Sequence, residues 1–234
     1  MQRKLRILVV EDEEPIRNGL VDVFLYHGYA VETAADGNSA VQKALGGGFD
    51  LILLDIMLPG MDGFEVCNRL RAADPEQPII MLTARSGDEE IIKGLSLGAD
   101  DYVAKPFSIT QLVLRVKAVL RRTRVVNQAQ QHIRLGDYCD VDCLNLSARS
   151  GTQTIGFTRR EVEILQYLSV NTERPVSREE LLNKVWGYAK NLDLETRTID
   201  IHIAKLRRKI EPDPGQPRFL VTVRGAGYRL HTEG

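Results

Sequence analysis

The feature that most constrains this sequence is a fivefold alternation, over its first half, of short apolar runs with helical patterns. Leu5 to Val10 precedes a helix from Pro15 to Tyr26, Ala30 to Ala34 precedes one from Asn38 to Leu45, and Leu51 to Asp55 precedes one from Gly63 to Ala72. Ile79 to Thr83 is followed by a helix near Asp88 to Leu97, and Tyr102 to Ala104 by one from Ile109 to Arg122. β-then-α units of this length predict an α/β fold with a doubly wound, five-stranded parallel sheet carrying helices on both faces. Ile7-Leu8-Val9-Val10 and Leu51-Ile52-Leu53-Leu54 are apolar at every position, as strands covered on both sides require. Ligands of such sheets bind beyond the carboxyl ends of the strands, so the residues there are the ones to read for chemistry.

At those ends stand Glu11-Asp12, Asp55, Thr83 and Lys105-Pro106. If their strands are neighbours, three carboxylates, a hydroxyl and an ammonium converge. The acids would raise one another's pKa values unless a hard cation sat among them, and Mg2+ suits oxygen ligands that leave room for waters and phosphate. A carboxylate left free as nucleophile makes an acyl phosphate possible. The hydroxyl and the lysine would then hold the phosphoryl oxygens. A phosphatase of the haloacid dehalogenase type also forms an aspartyl phosphate on a parallel sheet, but it needs a second acid two residues after the nucleophile. Here that position is Met57, so an enzyme is not expected. Asp62-Gly63 reads as a turn and helix cap without chemistry.

The alternation stops at a polar, Gln-rich stretch, which divides the chain into residues 1–122, a tether at 123–132 and a second domain at 133–234. Strands are expected at Ile133 to Leu135, Leu144 to Leu146 and Thr154 to Phe157. Thr158 with Glu161 and Ser177 with Glu180 fit capping boxes that open two helices. A third helix runs from Thr196 to Ile210, and Phe219 to Val223 with Tyr228 to Leu230 flank a glycine-bearing hairpin turn. This describes an α+β winged helix-turn-helix. On the third helix Ile199, Ile203, Leu206 and Ile210 form the buried stripe, while Arg197, Thr198, His202, Lys205 and Arg208 lie on other faces. Such a helix suits the major groove of DNA. Trp186 is expected in the core, and Asp200 beside an arginine.

Composition sharpens this division. The formal net charge of −1 sums 31 bases and 32 acids, but residues 1–124 hold 15 bases against 18 acids and residues 125–234 hold 16 against 14. From Arg197 to Arg229 eight bases meet three acids, the footprint of an anionic partner such as nucleic acid. With 43% apolar and 27% charged residues the chain reads as soluble; neither a membrane span nor a cleavable signal is expected. Cys67, Cys139 and Cys143 are too few and unpaired for a disulfide framework or a thiolate metal site, His132 being isolated, so a packing or surface role in a reducing cytoplasm is expected. A winged helix that binds a protein instead of DNA is the competing reading.

Val9-Val10-Glu11-Asp12-Glu13, Leu54-Asp55 through Asp62-Gly63, Thr83-Ala84 and Lys105-Pro106-Phe107 closely resemble the receiver domain of two-component response regulators. Gly98-Ala99-Asp100-Asp101-Tyr102, the helix motif around Arg197 and the Val223 to Arg229 wing resemble the OmpR/PhoB subfamily. The resemblance implies Asp55 as phosphoacceptor and Glu11, Asp12, Asp55 and the Met57 backbone carbonyl as Mg2+ ligands. It implies Thr83 and Lys105 at the phosphoryl group, Tyr102 as an aromatic switch and a cis Lys105-Pro106 peptide. Arg197, Thr198, His202, Lys205, Arg207, Arg208, Thr222 and Arg224 become candidate DNA contacts. Asp100, Asp101, Arg115 and Arg122 become dimer-interface residues, pairing Asp101 with Arg115 and Asp100 with Arg122. Ile91 and Gln111 stand where relatives often pair a base with an acid, and Ala204 where some carry a further base. The implied partners are a sensor histidine kinase, promoter double-stranded DNA with tandem half-sites, a second copy of the phosphorylated chain, and RNA polymerase.

Overall fold

The computed structural model describes residues 3–83, 94, 97–122, 131–150, 153–187 and 197–232, with the backbone alone at 121, 122, 150, 153 and 197. The chain divides into two compact units, Met1–Val125 and Val126–Gly234.

The first unit is the predicted parallel sheet. Its strands are β1 (Arg6–Val10), β2 (Ala30–Ala34), β3 (Leu51–Asp55), β4 (Ile79–Thr83) and β5 (Asp101–Ala104), in the order β2-β1-β3-β4-β5 with every pair parallel. The helices are α1 (Glu14–Tyr26), α2 (Gly37–Leu45), α3 (Gly63–Ala73) and α4 (Ile109–Arg122). The expected helix near Asp88 to Leu97 lies outside the described residues, except for a helical Gly94 and a turn at Leu97. Each helix start has a local cause. Pro15 opens α1, where its missing N–H costs nothing. The carboxylates of Asp36 and Asp62 accept from Ser39 N and Glu65 N, capping α2 and α3. Ile7, Val9, Leu51, Leu53, Ile80, Leu82 and Val103 pack with Leu20 and Phe24 of α1 and with Leu112, Val116 and Leu120 of α4 on one face of the sheet. Phe64 of α3 and Met81 of β4 both crowd Gly94 on the other face.

In the second unit β6 (His132–Leu135), β7 (Cys139–Asp142), β8 (Ser147–Ser150) and β9 (Gln153–Gly156) form an antiparallel sheet in sequence order. The strand expected at Leu144 to Leu146 is instead the turn between β7 and β8. Asp142 accepts from Leu144 N, Asn145 N and the Asn145 amide, which bends the chain there and leaves Cys139–Asp142 as the strand. Helix α5 (Arg159–Ser169) starts with the full Thr158/Glu161 capping box. Helix α6 (Arg178–Leu181) continues as a π-helical turn, Leu182–Trp186; Ser177 caps it, while the Glu180 carboxylate goes to Arg174 and Tyr167. Helix α7 (Arg197–Ile210) is followed by the wing, β10 (Leu220–Val223) and β11 (Gly227–Leu230), paired antiparallel. Ile199, Ile203, Leu206, Ile210 and Trp186 are buried as expected; of the packing and surface roles open to the three cysteines, all three take the buried one.

Candidate functional site

Strand order places β3 between β1 and β4, so the chain after β1, the end of β3 and the chain after β5 meet at one edge of the sheet. Oxygens of Glu11, Asp12 and Asp55 all lie within 4.8 Å of one another. The Lys105 ammonium donates to Glu11 Oε2 and to Asp55 Oδ2, both at 2.7 Å. Glu11 and Asp55 are buried, whereas Asp12 is exposed and gives the cluster a side open to solvent. Burial lifts the Glu11 carboxyl to about 7, with Asp55 adding repulsion and Lys105 offsetting part of both. Burial also works against the Lys105 charge, but the two carboxylates outweigh it and hold its pKa above the ordinary lysine value. An all-oxygen donor set with a net negative charge fits a hard divalent cation.

The remaining predicted groups are nearby. The Asp55 carboxylate also accepts from Met57 N at 3.2 Å, and Met57 itself is exposed. Thr83 is buried at the end of β4, its carbonyl accepts from Lys105 N, and the Lys105-Pro106 peptide is cis. Register pairs Met81 with Tyr102 and Thr83 with Ala104, so the buried Tyr102 shares with Thr83 the sheet face opposite α1 and α4. Two supporting roles go beyond the sequence reading, which passes over Arg17 and takes Gly63 only as part of a turn and cap. The Arg17 guanidinium donates to the carbonyls of Glu11 and Asp12 at 2.8 and 2.9 Å, which fixes the turn bearing both acids. Gly63 lets α3 approach the end of β3, since a Cβ there would lie 2.1 Å from the Asp55 carbonyl oxygen. An arginine five residues after Asp12, on the same helix as Pro15, was the available signal for the first.

The basic segment of the second unit is less available than its charge count implies. Helix α7 is covered on three sides: by α5 through Glu161, by the turn after α6 through Trp186, and by the wing. Thr198 and His202 are therefore buried, and the expectation that they face a ligand is corrected. The His202 ring sits edge-on to Trp186 at 5.2 Å between centroids, and burial depresses its pKa to about 3. Lys205 and Lys209 meet the buried Glu161 carboxylate at 3.2 and 2.6 Å. Arg207 donates to Leu220 O and to Thr222 Oγ1, both at 2.8 Å, so it ties α7 to the wing. Among the described residues from 197 to 229, the exposed bases are Arg208, Arg218 and Arg224, with Thr222 exposed beside them. The side chain of Arg197 lies outside the described residues. Asp200 pairs with Arg178 at 2.6 Å, as the sequence suggested.

Comparison with known proteins agrees with this geometry. Residues 7–117 match the response regulator receiver domain, and residues 152–230 match the transcriptional regulatory protein C-terminal domain. The structure is similar to a mutant of RitR, at 30% identity over 98% of this chain and 100% of that one, with a TM-score of 0.75. It is also similar to DrrB, an OmpR/PhoB homologue from Thermotoga maritima, at 32% identity over 99% of this chain and 100% of that chain, with a TM-score of 0.52. The chain belongs to the OmpR/PhoB family of response regulators. The receiver domain of a Francisella response regulator matches over 52% of the chain and 100% of its own, at 34% identity and a TM-score of 0.50.

As an OmpR/PhoB response regulator, the chain joins a receiver, whose partner class is the histidine kinase, to a DNA-binding domain suited to transcription regulation. Among the described residues no helix is long and apolar enough to cross a membrane. The acids expected at a dimer interface are committed inside the receiver. Asp100 is buried and paired with Arg71 at 2.8 Å, and its carboxylate also accepts from Ile79 N. Arg71 further donates to the carbonyls of Gly98 and Gln77, closing the end of α3 onto the start of β4 and the turn before β5. Asp101 is buried and pairs with Arg115 at 2.6 Å within the same chain. The Arg122 side chain and Ile91 lie outside the described residues.

Proposed function

We propose that this regulator accepts a phosphoryl group on Asp55 from a partner histidine kinase, and that phosphorylation favours a dimer whose winged helices bind tandem half-sites on promoter DNA. The observation that carries the reading is the Lys105 ammonium bridging Glu11 and Asp55 at 2.7 Å in a cluster of three acids. An Asp55 carboxylate oxygen attacks the phosphorus of a phosphohistidine. The P–N bond breaks with its electron pair returning to the imidazole, and an acyl phosphate remains on Asp55. Glu11, Asp12, Asp55 and the Met57 carbonyl are the residues that would hold Mg2+, which when bound offsets charge on the transferred oxygens. Lys105 supplies an ammonium to the phosphoryl group once Asp55 is phosphorylated, and the Thr83 hydroxyl donates to a second phosphoryl oxygen.

Movement of Thr83 toward the phosphoryl group changes the space beside Tyr102 on the same sheet face, which gives Tyr102 its switching role. The phosphoryl group biases an existing equilibrium and does not create a new state. Dimerisation through Asp100, Asp101, Arg115 and Arg122 then requires the in-chain pairs of Asp100 and Asp101 to be shared or exchanged with a second copy. On DNA, Arg197, Arg208, Thr222 and Arg224 make the contacts, and the bound dimer works with RNA polymerase. The test of the phosphoacceptor is direct. With acetyl phosphate as donor, the parent chain should gain acid-labile phosphate and Asp55→Asn should gain none; equal incorporation by the two would remove Asp55 from the reading.

A further inference from the structure

The winged-helix unit contains a junction at which three elements converge on one side chain. Tyr228, on the wing strand β11, exchanges two backbone hydrogen bonds with Val176, just before α6, at 2.7 and 2.9 Å. It also faces Thr222 of β10 in the wing register. Its hydroxyl donates to Asp200 Oδ1 on α7 and accepts from Arg178 Nη2 on α6 at 2.9 Å. Arg178 closes the triangle through Nε to the same Asp200 oxygen at 2.6 Å. The ring is flanked by cations, with the Arg178 and Arg207 guanidinium carbons 4.8 and 5.9 Å from its centroid. Arg207 in turn holds Leu220 O and Thr222 Oγ1. The backbone leaves little freedom here, because a Cβ on Gly227 would lie 2.0 Å from the Val176 carbonyl oxygen.

Charge-assisted bonds of this kind are short and directional, and guanidinium groups stacked on a ring restrict sliding as well as separation. The triangle therefore fixes where α7 stands relative to the wing tip. It also draws the Asp200 carboxylate, which would otherwise repel phosphates from the DNA-facing helix, toward Arg178. A protein that reads DNA with a helix and a wing gains sequence specificity only if both reach their places at once, whereas loose electrostatic association tolerates misplacement.

We propose that Tyr228 is a positioning residue for sequence-specific DNA binding: through Asp200 and Arg178 its hydroxyl sets the helix-to-wing register, without itself contacting DNA. This rests on the DNA-binding reading above. The full-length chain, treated with acetyl phosphate, is used to select a duplex from a randomised pool, and a scrambled duplex of equal length serves as the nonspecific probe. Tyr228→Phe keeps the ring beneath the two arginines and removes only the hydroxyl. It should lower affinity for the selected duplex by about ten-fold, while affinity for the scrambled duplex stays within about two-fold and the salt dependence is unchanged. Asp200→Asn, on the exposed side of the triangle, should do the same, and the double variant should lose no more than the worse single one because both cut the same brace.

Equal loss on both duplexes would mean that the hydroxyl touches the phosphate backbone, and additive losses would mean that the two groups act separately. Either outcome overturns the positioning role, as does full retention of specificity by Tyr228→Phe. Thermal unfolding of each variant separates a lost brace from a lost fold, and if Tyr228→Phe fails to fold, Asp200→Asn alone decides, with retained specificity overturning the role. A parent chain that selects no duplex sinks the DNA-binding reading, and the positioning role with it.

Discussion

Glu11 shows how one residue can serve both structure and chemistry. Its carboxylate is buried, lifted toward neutrality by desolvation, and held in place by a lysine and by a backbone turn that Arg17 pins. Arg17 donates to carbonyls and leaves the acidic oxygens for other partners, so its contribution is to the turn. Arg17→Leu should lower receiver stability by about 1–3 kcal/mol, measured by urea unfolding, and should weaken Mn2+ binding followed by electron paramagnetic resonance. Unchanged Mn2+ affinity would refute the role assigned to the turn. His202 makes an opposite kind of prediction. Its folded pKa of about 3 lies below the ordinary 6.5, so the folded unit rejects a proton that the unfolded chain accepts. That stability is fully present above pH 6.5 and is lost as pH falls toward 3, by at most about 1.4 kcal/mol per pH unit. Unfolding midpoints of the parent should therefore fall between pH 6.5 and 5 more steeply than those of His202→Leu; parallel curves would contradict the burial argument.

At the scale of elements, strands and helices of the receiver were readable because the central runs, β1 and β3, are apolar at nearly every position and α1, α2 and α3 each open on a proline or a carboxylate cap. The strand-end groups Glu11, Asp12, Asp55, Thr83 and Lys105 were readable for the same reason: once the strands are parallel neighbours, their ends have to meet. The second unit was harder. Leu144 to Leu146 looks like a strand, yet Asp142 turns the chain there, and that competition between side chain and backbone is invisible to apolar patterning. Helix α7 was read as apolar on one side and basic on the other, but periodicity reports only the strongest stripe. It could not foresee that Glu161, buried at the start of α5, takes Lys205 and Lys209, nor that the Glu211 carboxylate accepts from the backbone of Arg218, Phe219 and Leu220 at the entry to the wing. These pairings change which bases should matter. Arg208→Ala and Arg224→Ala should each reduce the slope of log affinity against log salt by about 1, as expected for a lost phosphate contact. Lys209→Met should leave the slope unchanged, and an equal drop for Lys209 would show that Glu161 releases it on DNA.

For the whole molecule, the near-zero net charge conceals an acidic receiver and a winged helix whose positive charge is largely spent on internal pairs. The proposed function couples a phosphoryl group at one unit to DNA affinity at the other, and under that proposal the in-chain pairs Asp100–Arg71 and Asp101–Arg115 bear on the step between them. Arg71→Leu removes the guanidinium paired with Asp100 without touching the strand-end acids. It should shift the monomer–dimer balance of the phosphorylated chain, seen by sedimentation velocity, while phosphate incorporation from acetyl phosphate is retained; an unchanged balance would show that Asp100 takes no part in dimerisation. The central claim is tested most directly by measuring phosphate stoichiometry and affinity for a selected duplex on the same samples, for the parent and for Asp55→Asn, with Mg2+ and acetyl phosphate. The parent should take up one phosphate and bind the duplex about 5- to 150-fold more tightly, while Asp55→Asn does neither. A parent that becomes fully phosphorylated with no change in affinity, or an Asp55→Asn chain that gains affinity equally, would contradict it.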